Sequence, residues 1–396
     1  MDIQIAKQQV IDAGNRLVAN GLIARTWGNV SCRVDAESFV ITPSGKAYES
    51  LTPDDIVQVR VADLGYEGEV KPSSEKGVHA EVYKAHSEAN FVIHTHQNQA
   101  SVISALDAGL QNLSGDTAAV IGGDVPLAAY GLPGTGKLIK GVAAALPQTK
   151  GRAIIMAHHG TLCYGADSEE AFQVASSLEE ACKDTIYSQF RKVCGENPND
   201  ENDYVKSVLK KLTKYELPIA FSAEGCYNSK RGKEGNSFNL QSADGSNQQY
   251  SLQESGENEP PEAKLHRSIY RGRADISVVL HSKAAAVTGI SCMPGPLLPQ
   301  LDDFAQLIGI SVKTAKLDDA MACVKALKGR HAVFLREQGA FCCGKNESDA
   351  RAVEMILEKG CMTKLGSILF GSDNVISSLE SRLMRFIYLQ KYSKKE

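Results

Sequence analysis

Histidines and one glutamate are concentrated in residues 72–96, and their spacing suits metal chemistry. Glu75 lies in a loop, and residues 91–96 read FVIHTH, whose β-branched content predicts a strand. Side chains two residues apart on a strand point to the same side, so His94 and His96 can offer two imidazoles to one metal ion. The alternative is that the pair makes only hydrogen bonds on the face of a sheet.

A third ligand can come from residues 153–160, AIIMAHHG. This apolar segment predicts a second strand, and it ends in His158, His159 and Gly160. Three histidine ligands with one open coordination position are typical of a catalytic zinc site rather than a structural one. The two segments together therefore predict a catalytic metal centre.

Two further short segments carry glycine and small hydroxyl side chains. They are residues 28–31, GNVS, and residues 42–45, TPSG, each beside a predicted strand, and two serines precede Glu75. Backbone N–H groups in such turns can approach an anion closely, so the loops could hold a phosphate. Taken alone, the same residues would be ordinary hairpin turns.

Length and composition limit the class of protein. The 396 residues exceed the usual size of a single core and predict about two domains. A net charge of -4 gives no sign of a nucleic-acid or membrane partner. Residues 1–22 predict an amphipathic helix and not a signal peptide, and no apolar run is long enough to span a bilayer. The ten cysteines are scattered, which favours a reducing cytoplasm.

A glycine-rich segment, residues 131–137, resembles a nucleotide-binding P-loop in its spacing. We reject this interpretation because Leu138 follows Lys137, where magnesium ligation would need a Ser or Thr hydroxyl.

In order and approximate spacing, these motifs resemble those of the class II aldolase/adducin family. They are GNVS at 28–31, TPSG at 42–45, PSSE at 72–75, HTH at 94–96 and HG at 159–160. The resemblance covers residues 5–190 and implies an α/β fold, a three-layer domain with a mostly antiparallel sheet flanked by helices. It also implies zinc, or another divalent metal, on His94, His96 and His159.

The resemblance further assigns roles to individual residues. It implies that Glu75 transfers protons and that Tyr130 helps to protonate the oxyanion of the leaving aldehyde, often across a subunit boundary. It implies a phosphorylated ketose as substrate, with its phosphate held by Gly28, Asn29, Thr42, Gly45, Ser73 and Ser74. Family members commonly form tetramers, so a chain with two copies would form a homo-oligomer, a dimer that acts as a pseudo-tetramer.

The second half of the chain repeats the first and has lost part of the predicted site. Glu262, His266, Tyr270 and His281 follow Glu75, His79, Tyr83 and His94 at one constant offset, whereas Lys283 replaces His96 and Gln338 stands opposite His159. Lys283 would repel a divalent ion, and a glutamine amide is not a usual zinc ligand. We therefore predict an intact domain at 1–194, a linker at 195–203 and a degenerate domain without catalytic metal at 204–396.

The predicted chemistry is carbon–carbon bond cleavage or formation. Cleavage of a β-hydroxy ketone leaves an enediolate, whose charge Zn²⁺ can stabilise as a Lewis acid. Glu75 can move a proton on this enediolate, a task that suits a carboxylate whose pKa is raised in a sheltered site. The alternatives are a sugar-phosphate 4-epimerase or dehydratase of the same family, and a non-catalytic scaffold like adducin. Glu at this position, where the epimerases tend to carry Asp, favours the aldolase.

The C-terminal segment beyond Asp373 has an apolar stripe at helical spacing. Leu379, Leu383, Phe386, Ile387 and Leu389 form this stripe and predict an amphipathic helix that packs through it. Tyr388 and Tyr392 could reach a site.

Overall fold

A computed structural model describes residues 1–23, 27–213, 227–256 and 259–391. The chain divides into two compact units. The first consists mainly of Met1–Gln189, and the second of Phe190–Gly371 with Val375–Leu389. Tyr392 and residues 24–26, which precede Trp27, lie outside the described residues. The predicted linker, 195–203, contains the start of a helix at Glu201, and its assignment as a linker stays a prediction.

The first unit is built on a seven-stranded sheet in which all neighbours except the last pair are antiparallel. The strand order is β3-β2-β1-β4-β7-β6-β5. The strands are β1 (Asn29–Arg33), β2 (Ser38–Ile41), β3 (Val57–Arg60), β4 (Phe91–Thr95), β5 (Leu127–Ala128), β6 (Ala153–Met156) and β7 (Thr161–Gly165). The helices are α1 (Ile3–Ala19), α2 (Lys76–Ala85), α3 (Asn98–Ser104), α4 (Gly115–Ile121), α5 (Gly136–Ala145) and α6 (Ser168–Cys194).

Helices cover both faces of this sheet, because the central strands are apolar on both sides. On one face, α2 and α5 enclose a core that includes Val78, Val82, Leu138 and Val142. On the other face, α1 packs its buried stripe, which includes Val10 and Leu17, against β1 and β2. The result is the predicted three-layer α/β domain.

The second unit repeats this topology. Its strand order, β10-β9-β8-β11-β14-β13-β12, matches the first sheet strand for strand. The strands are β8 (Tyr227–Arg231), β9 (Ser237–Ser242), β10 (Asn247–Ser251), β11 (Val278–Ser282), β12 (Thr314–Ala315), β13 (Ala332–Leu335) and β14 (Gly339–Gly344). The helices are α7 (Glu201–Leu212), α8 (Pro261–Gly272), α9 (Ala285–Ser291), α10 (Asp302–Leu307), α11 (Ala320–Ala326), α12 (Glu347–Phe370) and α13 (Ser378–Lys391). The tandem architecture predicted from the sequence repeat is confirmed.

The C-terminal helix α13 forms as predicted but packs through another face. Its buried positions include Ser381, Met384 and Tyr388, whereas Leu379 is 78% exposed and Phe386 is 61% exposed. The predicted packing through the apolar stripe is therefore wrong. The stripe identified the helix, but apolar spacing alone did not identify the face that meets the core.

None of the helices in the described part of the chain is long and apolar enough to cross a membrane.

Candidate metal centre and active site

Three histidines meet at the end of the central strands in the first unit. His94 lies near the end of β4, and His96 follows that strand directly. His159 sits in the turn that joins β6 to β7, the strand that pairs with β4. Because this turn returns the chain beside β4, the histidines from the two distant segments come together, and His94 and His159 are almost fully buried.

The tight turn explains which of the two adjacent histidines joins the cluster. His158 has a left-handed backbone (φ 60°), which turns the chain so that His159 faces His94. Gly160 approaches β4 so closely that an added Cβ would lie 2.3 Å from the Thr95 carbonyl oxygen. The absence of a side chain at this glycine therefore permits the approach of His159 to His94.

The geometry of the three rings fits a single metal ion. The His94 and His159 rings are parallel, with centroids 5.0 Å apart, and His96 meets both edge-on. One possible ligand atom from each residue lies within 4.8 Å of the others. Zn–N bonds of about 2.0–2.1 Å imply nitrogens about 3.3 Å apart in a tetrahedral site, and His94 Nε2 lies 3.0 Å from His96 Nε2. The donor set is three nitrogens, which suits Zn²⁺.

A hydrogen bond orients His94 for ligation. Its Nδ1 lies 2.8 Å from the carbonyl oxygen of Thr161, which can only accept, so Nδ1 carries the proton. In the neutral ring, Nε2 is then left with a lone pair directed at the cluster. Contacts of this kind fix the tautomer and the ring orientation of metal-ligating histidines.

Glu75 faces the same cluster from the start of α2. Its Oε1 lies 2.8 Å from His159 Nε2, and its Oε2 lies 3.2 Å from His94 Nε2. Burial raises the pKa of the Glu75 carboxyl, but the neighbouring His94 and His159 imidazoles outweigh burial and hold that pKa well below its ordinary value. The prediction of a raised pKa for Glu75 was therefore wrong. It took account of burial but not of the His94 and His159 imidazoles that contact the carboxylate.

Glu75 is also tied to a buried polar chain that the sequence did not reveal. Asn29 Nδ2 donates to Glu75 Oε2 at 2.9 Å, and Asn29 Oδ1 lies 2.5 Å from His79 Nε2. His79 Nδ1 lies 2.7 Å from the Ser31 hydroxyl, which lies 2.7 Å from the Tyr83 hydroxyl. The helical spacing of His79 and Tyr83 was visible in the sequence, but their link to Glu75 depends on the position of β1.

The loops predicted to hold a phosphate lie side by side. Pro43 and Pro72 form a β-bridge, and the Ser73 amide donates to the Thr42 carbonyl oxygen at 3.0 Å. Two of the side chains have internal partners, since the Thr42 hydroxyl accepts from the Val30 amide and the Ser73 hydroxyl accepts from the Glu75 amide. The loops thus converge, and the Thr42 and Ser73 hydroxyls make hydrogen bonds to the backbone of this region.

The remaining predicted phosphate contacts are more open. Ser74 is exposed, and Gly45 is partly exposed with a left-handed backbone (φ 73°). Gly28 also has positive φ (119°), and an added Cβ would lie 2.6 Å from the His94 carbonyl oxygen. Gly134, in the rejected P-loop segment, lies against Ser74, so this segment joins the same cluster of loops.

Tyr130 lies two residues beyond β5 and is partly exposed. Its ring meets the ring of His158 edge-on, with centroids 5.3 Å apart, and Lys137 Nζ lies 5.7 Å from its centroid. The structure thus places the Tyr130 ring against His158, the residue that precedes His159.

The second unit keeps the fold around these positions but not their chemistry. His281 on β11 corresponds to His94, and its Nε2 lies 2.7 Å from the Gln338 carbonyl oxygen. A carbonyl can only accept, so this Nε2 carries a proton and cannot ligate a metal in that state. Among the described residues, the group that could hold a metal through three ligands is His94, His96 and His159.

Comparison with solved structures identifies relatives that match about half of the chain. An L-fuculose 1-phosphate aldolase is 32% identical over 48% of this chain and 88% of its own, with a TM-score of 0.44. The L-fuculose-1-phosphate aldolase of Thermus thermophilus is 28% identical over 47% of this chain and 96% of its own, with a TM-score of 0.41. YgbL of Klebsiella pneumoniae, whose name leaves aldolase, epimerase and decarboxylase open, is 24% identical over 46% of this chain and 89% of its own, with a TM-score of 0.42.

A family model matches both halves of the chain. The model, "Class II Aldolase and Adducin N-terminal domain", aligns with residues 8–186 and again with residues 237–365. These two segments cover most of the sequence and correspond to the two repeated sheets. The chain therefore belongs to the class II aldolase and adducin family and carries two copies of its domain in tandem.

Proposed function

We propose that the chain is a zinc-dependent aldolase that cleaves or forms a ketose phosphate at a site in its first unit. One observation carries this proposal: the Glu75 carboxylate contacts His94 and His159 within a buried cluster of three imidazoles. A scaffold has no need of a buried carboxylate beside three potential ligands, and such groups are costly to bury without a function.

Each residue has a separate task in this reaction. His94, His96 and His159 would hold the zinc ion, which supplies Lewis-acid stabilisation of the charge that develops on the substrate oxygens. Glu75 lies beside the ligands and transfers a proton to or from the enediolate carbon. The neighbouring imidazoles lower the pKa of Glu75, so it is ionised at neutral pH and can act as the base that removes the carbon-bound proton in bond formation; in cleavage it returns that proton to the enediolate carbon.

The converging loops position the substrate. Gly28, Gly45 and Ser74 present backbone and hydroxyl groups near Asn29, Thr42 and Ser73, and we assign this loop cluster to the substrate phosphate. This assignment is supported by the position of the loops, which meet at the N-terminus of α2, directly before which Glu75 lies. Fixing the phosphate there would hold the reacting carbons in register with Glu75.

Tyr130 is assigned the proton transfer at the aldehyde oxygen: its hydroxyl donates a proton to that oxygen when the carbon–carbon bond forms, and the phenolate takes the proton back when the bond breaks. Its position beside His158 supports this role. Tyr130→Phe removes the donor but keeps the ring, so we expect kcat to fall by about 10²-fold or more with little change in metal content. Unchanged kcat would remove Tyr130 from the mechanism.

We assign the second unit a supporting role without a catalytic metal, and we propose that the chain forms a dimer with four family domains. The protonated His281 Nε2 supports the first assignment. A monomeric mass in light scattering would contradict the second. The nine described cysteines are free thiols, which supports a reducing compartment such as the cytoplasm.

The test is product analysis with a panel of ketose 1-phosphates in the presence of Zn²⁺. The proposal requires release of a triose phosphate and an aldehyde in equal amounts. Recovery of one isomerised sugar phosphate would instead indicate the epimerase, and loss of water without fragmentation would indicate the dehydratase.

A further inference from the structure

The buried chain from Tyr83 to Glu75 has a single consistent direction of hydrogen bonding. Asn29 directs its NH₂ group at Glu75 Oε2, 2.9 Å away, and its Oδ1 at His79 Nε2, and an amide oxygen can only accept. His79 Nε2 must then carry a proton. Each amide or ring orientation in the chain is thereby fixed by its neighbour.

His79 is suited to this constraint because it is neutral. It is fully buried, and burial lowers its pKa to about 3. A neutral imidazole has one N–H, which is at Nε2, so Nδ1 accepts from the Ser31 hydroxyl. Ser31 in turn accepts from the Tyr83 hydroxyl, and the chain ends there.

The second unit shows which part of this chain belongs to the fold. Ser229, His266 and Tyr270 repeat Ser31, His79 and Tyr83. The Ser229 hydroxyl lies 2.6 Å from His266 Nδ1 and 2.7 Å from the Tyr270 hydroxyl. The strand register places Ser31 opposite Val92 and Ser229 opposite Val279, so the serines are equivalent.

The same register places Tyr227 at the position of Asn29. His266 Nε2 is buried and has no hydrogen-bond partner among the described residues. The Ser–His–Tyr contacts are therefore common to both units. The hydrogen bonds that continue from the histidine through an asparagine to a glutamate are found in the first unit.

We propose that His79 is a positioning residue: through its Nε2–H it fixes the Asn29 amide, which holds the Glu75 carboxylate against His94 and His159. The inference rests on the proposed function for its catalytic consequence, and it gives Asn29 a task other than the phosphate contact implied by family resemblance. Without the Nε2–H donor, the Asn29 amide can rotate and the carboxylate loses its anchor.

The experiment compares full-length His79→Leu, His79→Gln and His266→Leu with the parent chain. Zn²⁺ affinity is measured by competition with a chelator, and kcat and KM are measured with the ketose phosphate that the parent cleaves. Because the Gln side-chain NH₂ can donate where Nε2–H does, His79→Gln is the conservative rescue, and His266→Leu is the matched control for loss of the shared Ser–His–Tyr contacts.

We expect His79→Leu to weaken Zn²⁺ binding about 10-fold and to lower kcat far more than it raises KM, since outer contacts of metal sites contribute about 10–100-fold in affinity or activity. His79→Gln should recover most of both, and His266→Leu should change neither. The inference is overturned if His79→Leu retains the parent's affinity and kcat, or if both Leu variants lose activity only in proportion to a shared loss of folded protein. A parent that cleaves no ketose phosphate would defeat the proposed function, and the Zn²⁺ affinities would still decide the role of His79.

Discussion

The two halves of this chain share a sheet, a helix arrangement and a buried anchor, yet only one half gathers a ligand cluster among the described residues. In both halves a serine on the sheet contacts a histidine and a tyrosine on a helix, α2 in the first half and α8 in the second. In both, an arginine on the same strand donates to carbonyl groups at the end of that helix, Arg33 in the first and Arg231 in the second. These contacts persist where the three-histidine cluster does not, so they belong to the fold.

The differences between the halves are concentrated at the ends of the central strands. There His96 and His159 give way to Lys283 and Gln338, and His281 turns its Nε2 to a backbone carbonyl. Both halves also keep a left-handed residue in the same turn, His158 in one and Glu337 in the other. The turn geometry is thus part of the fold, and the chemistry depends on which side chain follows it.

The largest expected difference between the halves is catalytic. Glu75→Gln removes the carboxylate to which we assign the proton transfer but keeps its shape, so kcat should fall by about 10²–10⁴-fold. Glu262→Gln, the matched change in the second unit, should leave kcat at the parent value. Steady-state kinetics of both variants checks this, and equal losses would mean that both halves contribute to catalysis.

Acid should lower the stability of the second unit through its buried histidine, His266. Burial lowers the pKa of His266 to about 3, so the unfolded chain binds this proton below about pH 6.5 whereas the folded chain does not. Stability therefore decreases as pH falls through this window, by up to about 1.4 kcal/mol per pH unit for this one group.

His266→Gln removes that group and should make the acid dependence shallower. Urea unfolding followed at several pH values between about 7 and 5 measures the slope. A variant as acid-sensitive as the parent would show that His266 is protonated in the folded state or that the second unit does not unfold in the measured transition.

The smallest effect is expected on the exposed stripe of α13. Phe386 is 61% exposed, so Phe386→Ala should change the free energy of unfolding by less than about 0.5 kcal/mol. Met384→Ala, on the buried face of the same helix, should cost about 2–5 kcal/mol. Chemical unfolding measures both changes. A larger loss of stability for Phe386→Ala than for Met384→Ala would mean that the assignment of the buried face is wrong.

Sequence patterns predicted much of this molecule because they reflect local geometry. The strand containing His94 and the turn containing His159 followed from β-branched runs and their ends, and the repeat followed from matching residues in both halves. The low pKa of Glu75 and the hydrogen bond from Asn29 could not be predicted in this way. Both depend on how closely β1, β4 and the His159 turn approach the start of α2, and those distances are set by packing across the whole sheet.

The central claim is a single metal site in the first half, and metal content per purified chain tests it most directly. The parent should hold about one zinc per chain and His96→Ala close to none, because His96 is one of the three proposed ligands and the second half offers no equivalent set among its described residues. A parent with about two zinc ions per chain, or one that takes up none after incubation with Zn²⁺, would contradict the account.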